Sequence, residues 1–186
     1  MKKEKERNSA NVFAKECIAT ALFKLMKDKN YEDITITDIA KKAGVSRVTY
    51  YRNYNSKEDI ITQYVDELGY QFHQKTKHLD LTKDTHTCVL TFFRYWRKQE
   101  EFLLSLQQAN LSYIMLEHIK KSIHQFTKTA HQKYEAFHYV GSMHTILFEW
   151  IKGGTKESPE EMAEIICSLY HIPSPLLLES RPENAK

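Results

Sequence analysis

From Gly44 to Asp59 the chain reads GVSRVTYYRNYNSKED, and these sixteen residues hold three tyrosines, two arginines, one lysine and two asparagines. Few aliphatic side chains accompany them, so the stretch is too polar for core and too aromatic for an ordinary solvated loop. If Ser46 caps a helix running to Asn53, then Arg47, Val48, Tyr51 and Arg52 share one face. Val45, Tyr50 and Tyr54 then turn the other way, toward Ile39 and the first helix. The outward set suits duplex DNA. Arginine can read guanine with two parallel hydrogen bonds, and a valine methyl can rest against the methyl of thymine. Thr49, Tyr51, Asn53 and Lys57 are suitable phosphate donors, and a helix starting at Lys57 adds backbone amides and a dipole. A solvated helical hairpin with tyrosines packed by their rings would explain any one of these residues, but it does not explain the ordered set.

The elements needed to hold that face are also legible. Ala14, Ile18, Ala21, Leu22 and Leu25 recur at helical spacing, predicting a helix from Ser9, its cap, to about Lys29. Thr35-Ile36-Thr37-Asp38 is a capping pattern for a short helix, and Gly44 supplies the turn that follows. Ser56-Lys57-Glu58-Asp59 reads as another capping box, opening a helix toward Thr76. Helix, short helix, glycine turn, short helix and helix make a helix-turn-helix arrangement. The expected boundary puts a three-helix DNA-binding domain in residues 1–56 and a helical effector-binding and dimerisation domain in residues 57–186.

Only five glycines and four prolines occur in 186 residues, so long helices with brief connections are expected: an all-α fold of about nine helices. After a loop at HLDLTKD, helices are expected over Thr85–Lys98, over Glu101 to about His131 (one or two), and over Tyr134–Ile151. Gly153-Gly154 ends the last of these, and Ser158-Pro159-Glu160-Glu161 opens a final helix to about Tyr170, leaving a loose tail.

Charge divides along the chain. Residues 1–57 carry thirteen Lys/Arg against seven Asp/Glu, and residues 58–186 carry fourteen against seventeen, so the front is the part suited to a polyanion. Cys17, Cys88 and Cys167 stand far apart, as free thiols in a reducing compartment do. No secretory signal or membrane-length apolar run appears, so a soluble, cytoplasmic protein is expected. No nucleophile elbow, P-loop or dinucleotide fingerprint is present, which argues against an enzyme and against a cofactor. No metal site is expected from the nine histidines either: His124 and His131 share a face but lie roughly 10 Å apart along the helix.

The segment ITITDIAKKAGVSRVTYYRNYNSKEDII resembles the DNA-binding signature of the TetR family of bacterial transcriptional regulators. EWIKGGTKESPEEMAEII resembles the last two helices of a branch that includes regulators of dihydroxyacetone-kinase genes. By position, the resemblance implies that Thr35 and Thr37 touch DNA from the second helix. It makes Arg47, Val48 and Thr49 recognition contacts, and Tyr51 and Lys57 phosphate ligands. Arg52 and Asn53 complete the proposed contact set. The family pattern implies a homodimer on a palindromic operator, usually a repressor, released by a small-molecule effector.

It also implies a dimer built from the last two helices. On them Phe137, Gly141, His144 and Phe148 share one face, and Ile165, Ile166 and Leu169 give an apolar side. Packing within one subunit is the alternative. Phe92, Trp96, Phe102, Tyr113, Phe126 and Met143 could line an effector pocket, although residues at such spacing more often form plain core. Two other functions fit the same chain: a helical interaction module that binds no DNA, and a regulator controlled by a protein partner.

Overall fold

The computed structural model describes residues 2–80 and 83–169, with side chains described from residue 11 onward except at 122 and 124–126. Among these residues it holds nine α-helices and no strand. The expected loose tail lies outside the described residues. The helices are α1 (Lys2–Asp28), α2 (Ile36–Ala43), α3 (Arg47–Asn53), α4 (Lys57–Thr76), α5 (Thr85–Arg97), α6 (Glu100–Gln108), α7 (Ser112–Phe126), α8 (Ala130–Lys152) and α9 (Pro159–Leu169), with one 3₁₀ turn at Tyr31–Asp33.

Local chemistry sets most of the boundaries. The Thr35 hydroxyl accepts from the Asp38 amide and the Asp38 carboxylate accepts from the Thr35 amide, both at 3.1 Å, so the first capping box closes. Gly44 ends α2 at φ 69°, with its amide donating to Lys41 O and that of Val45 to Ala40 O. This paired closure needs a left-handed residue, which glycine adopts at little cost. Ser46 and Ser56 cap α3 and α4 by accepting from the Thr49 and Asp59 amides. The second box stays half made, because the Asp59 carboxylate turns to the Asn55 amide at 2.9 Å. Ser158 and Glu161 close a full box at α9.

Two boundaries differ from the sequence reading, and one that it left open is decided. Ser9 is interior to α1, which begins at Lys2, since the Lys, Glu and Arg residues before it are strong helix formers. Asn110, at φ 57°, breaks the Glu101–His131 stretch into α6 and α7, a conformation asparagine tolerates. Thr129 and Gln132 form a capping box that starts α8 four residues before Tyr134.

One continuous apolar core runs through all of this. Near its front, Ile18 and Leu22 of α1, Ile39 of α2, Tyr50 of α3 and Ile60 and Ile61 of α4 are fully buried. Further back come Phe93, Leu103, Leu106, Leu147, Ile151 and Ile166. The two ends meet at three rings: Phe23 of α1, Tyr64 of α4 and Phe102 of α6, with centroids 4.8–4.9 Å apart. At the far side α9 lies antiparallel on α5, strapped by Arg94–Glu160 and His86–Glu164. Cys88 and Cys167 are buried and Cys17 is half-buried, all three as free thiols.

Two glycine substitutions should move stability in opposite directions. Nothing lies within 4 Å of a Cβ added at Gly44 or Gly69, so backbone angle alone decides. Gly44→Ala is expected to cost about 1–2 kcal/mol, because an L-residue resists positive φ. Gly69→Ala, in the interior of α4, should gain about 0.5–1 kcal/mol. Urea midpoints read both, and a Gly44→Ala variant as stable as the parent would contradict the turn described here.

Candidate nucleic-acid interface

The seven-residue α3 is held from beneath by two of its own tyrosines. Tyr50 is fully buried and Tyr54 nearly so, and the Tyr54 hydroxyl donates to Lys15 O on α1 at 3.4 Å. Burial, with Asp59 nearby, pushes both phenols up to about 12. Their rings thus stay neutral anchors. With that side fixed, Arg47, Val48, Tyr51 and Arg52 stand outward, Val48 at 68% and Tyr51 at 51% exposure. The Arg47 guanidinium lies over the Tyr51 ring, 5.9 Å from its centroid. Thr35 and Thr37 are exposed at the start of α2, and Thr49 is half-buried with its hydroxyl 3.0 Å from that of Ser46. Lys41 and Lys42, in the last turn of α2, are exposed cations that the sequence reading passed over.

Two expected contact residues are engaged inside the protein. Asn53 is 9% exposed and its amide donates to Thr49 O one turn back, at 2.8 Å. It faces the domain interior, because a short amide near a helix end finds the i−4 carbonyl within reach. Lys57 directs its ammonium at the carbonyls of Tyr31 and Glu32, at 2.7 and 3.5 Å, and lies 4.3 Å from the Tyr31 ring centroid. One N–H direction is left for an outside anion.

Around Lys57 is a clasp that no DNA-type motif advertises. Buried Tyr31 donates its hydroxyl to Glu58 at 2.8 Å, joining the 3₁₀ turn to the start of α4. Partial burial works against the Glu58 charge. Hydrogen bonds from its own amide, Tyr31 and Ser56, with Lys57 beside it, outweigh that and hold the carboxyl below the usual glutamate range. On the other side Lys15 donates to Gln63, whose amide reaches Asn53 O and the Asp59 carboxylate. α1, α3 and α4 are therefore tied by side chains as well as by core.

In the bundle, the structure separates the expected pocket residues. Phe92 and Trp96 join Phe93, Tyr95 and Phe72 in one cluster, whereas Phe102 packs with Phe23 and Tyr64. Met143 is buried, Tyr113 is 55% exposed, and the Phe126 side chain lies outside the described residues. The Trp96 indole N–H is buried with no partner among the described residues. A cleft of about 620 Å³ lies elsewhere, between the end of α1 and the end of α6, with Met26, Lys29, Asp33 and Gln108 on its walls.

The expected dimer face is divided too. Phe148 and Ile166 are buried in the subunit's own core, at 4% and 0% exposure. His144 Nε2 donates to Ser112 O, 3.0 Å away, and its ring lies tilted against that of Phe148, with burial lowering its imidazole below the ordinary value. Phe137 and Gly141 are half-buried. Ile165 and Leu169 point out of α9 at 45% and 61% exposure. Among the described residues no cluster could hold a metal ion, and no helix is long and apolar enough to cross a membrane.

Two family models match this chain: "Bacterial regulatory proteins, tetR family" over residues 18–64 and "Transcriptional regulator C-terminal region" over residues 83–171. The uncharacterized HTH-type transcriptional regulator YxbF of Bacillus subtilis is 24% identical over 168 residues, 82% of this chain and 43% of that protein. The HTH-type transcriptional regulator EthR of Mycolicibacterium smegmatis is 39% identical over 51 residues, 27% of this chain and 23% of that one. The chain thus spans less than half the length of these curated relatives. Among solved structures, Lin0861 from Listeria innocua superposes with a TM-score of 0.73 at 16% identity, covering 86% of this chain and 90% of that one. The dihydroxyacetone kinase operon activator DhaS gives 0.55 at 17%, covering 85% and 94%. The fatty acid degradation regulator FadR from Bacillus halodurans gives 0.55 at 16%, covering 92% and 97%. At such identities these structures establish the shared fold.

The Tyr31–Glu58 bond has a pH signature. Because the folded Glu58 carboxyl titrates below its unfolded value, its contribution is complete above the ordinary glutamate range and lost as pH falls through the lowered one. Tyr31→Phe is expected to destabilise by about 1–2 kcal/mol at neutral pH. The gap from wild type should shrink in acid. Denaturation across pH 3–7 checks it, and a gap independent of pH would rule out the charged acceptor.

Proposed function

Since the chain belongs to the tetR family of bacterial regulatory proteins, we propose that it is a transcriptional regulator that binds duplex DNA through α2 and α3. The family is one of regulators and not of enzymes. The observation that carries the proposal is the two-sidedness of α3: Tyr50 and Tyr54 are buried beneath it while Arg47, Val48, Tyr51 and Arg52 are presented outward. A neutral aromatic underside and a cationic outer face are what a helix laid in a major groove requires.

In this reading Arg47 and Val48 meet base edges. Thr35, Thr37, Thr49, Tyr51, Arg52 and the free N–H of Lys57 meet phosphates or positions beside them. Asn53, turned inward, supports the helix from within. A homodimer would present two such faces to a palindrome and repress by occupying it. The surfaces that favour dimerisation through α8 and α9 are the exposed Ile165 and Leu169 with the half-buried Phe137 and Gly141. A small-molecule effector held among the C-terminal helices would act by population shift, altering the separation of the two α3 helices. The contact of Phe102 with Phe23 and Tyr64 is the mechanical link such a shift would use.

Selection of duplexes from a random-sequence pool, followed by salt titration, tests the proposal. Enrichment of a palindromic sequence is expected, and no binding even at low salt would favour the interaction-module alternative. Arg47→Ala should cut discrimination between enriched and scrambled DNA about tenfold, a loss of ~1–3 kcal/mol at each misread base. Arg52→Ala should weaken both alike and lower the salt slope by about 0.9. Replacing Ile165 and Leu169 together by glutamate should halve the mass seen in sedimentation. A double variant that stayed a dimer would move the interface elsewhere.

A further inference from the structure

Arg47 and Tyr51 are four residues apart on α3, one directly above the other on the outer face. Helical side chains lean toward the N-terminus, so the Tyr51 ring comes back over the turn that bears Arg47. That is the observed contact, with the guanidinium carbon 5.9 Å from the ring centroid. One side of the ring is braced: it stands edge-on against Tyr50, at 5.4 Å and 86°, and Tyr50 is itself fully buried and packed near Tyr54. Among the described residues no carboxylate pairs with Arg47, and the Tyr51 ring is the group its guanidinium lies over.

We propose that Tyr51 is a positioning residue for base recognition, which uses its ring to set the plane and direction of the Arg47 guanidinium before DNA arrives. The inference rests on the DNA-binding reading above and differs from the phosphate role expected for the Tyr51 hydroxyl. A guanidinium drawn over a ring by its charge keeps its edge free, and that edge carries the fork of N–H groups that matches guanine. Lysine, with a point charge and no plane, could not be held this way. Val48 follows Arg47 at 68% exposure, so both side chains proposed to read bases stand outward beside the ring.

The test compares binding to duplexes enriched by the wild-type full chain with binding to scrambled ones, for Tyr51→Phe, Tyr51→Gln, Arg47→Ala and the Tyr51→Gln/Arg47→Ala double variant. Stacking of an exposed cation on a ring is worth about two- to fivefold, and two subunits would multiply this to about tenfold. Tyr51→Phe should keep wild-type discrimination within about twofold, Tyr51→Gln should lose about tenfold, and the double variant should discriminate no worse than Arg47→Ala alone. Discrimination lost in Tyr51→Phe would overturn the proposal, because the ring is still present there. Equal weakening of both DNAs by Tyr51→Gln, or additive losses in the double variant, would overturn it too. Circular dichroism checks that the glutamine variant is folded; if it is not, Tyr51→Leu, which keeps apolar bulk without a π face, takes its place with the same expected loss of about tenfold. A wild-type chain that enriched no duplex would instead remove the DNA-binding reading itself.

Discussion

Three rings in mutual contact, Phe23, Tyr64 and Phe102, govern how the two ends of this molecule are set against each other. They belong to α1, α4 and α6, and α4 also reaches α5 and α7 in the bundle. A tightly packed apolar joint has a few discrete arrangements in place of a continuum, since interiors are as dense as organic crystals. The orientation of α3 relative to the bundle is inherited from that joint. With seven residues α3 is far below the length at which a helix persists alone, so it exists because Tyr50 and Tyr54 are buried against its neighbours.

Polar contacts refine what the rings establish. Lys15, Gln63 and Asp59 tie α1 to α4 on one flank, and Tyr31, Lys57 and Glu58 tie the 3₁₀ turn to α4 on the other. Several are half-buried, where a hydrogen bond to a charged group is worth more than on open surface. Against these stand three buried atoms without partners among the described residues: the Tyr50 hydroxyl, Asn53 Oδ1 and Trp96 Nε1. Two of the three sit on α3. α3 therefore carries the polar cost of a well-buried underside, set against the ring burial that fixes its outer face.

What the sequence disclosed follows the range of the forces involved. Thr35, Gly44, Ser46 and Ser158 could be read because capping and left-handed turns are settled within four residues. The outer and inner faces of α3 could be read because aromatic and charged residues divide there at helical spacing. Spacing does not reveal which partner an apolar face meets. Phe148 and Ile166 look the same in sequence whether they meet their own subunit or another, and the structure puts them inside. The same ambiguity merged Phe102 with Phe92 and Trp96, although its rings of contact lie on α1 and α4. Spacing does not tell which way Asn53 turns either, because a good phosphate donor is equally a good donor to the carbonyl one turn back.

The three thiols occupy unequal surroundings. Burial, with acidic neighbours, pushes Cys88 and Cys167 up, away from the thiolate form that alkylating reagents attack. Cys17 is only half-buried, on α1. A maleimide spin label or fluorophore should therefore discriminate among them without any cysteine being engineered away. In a twofold dimer the two equivalent labels would form a natural ruler across the symmetry axis, reporting directly how far apart the two α1 helices are held.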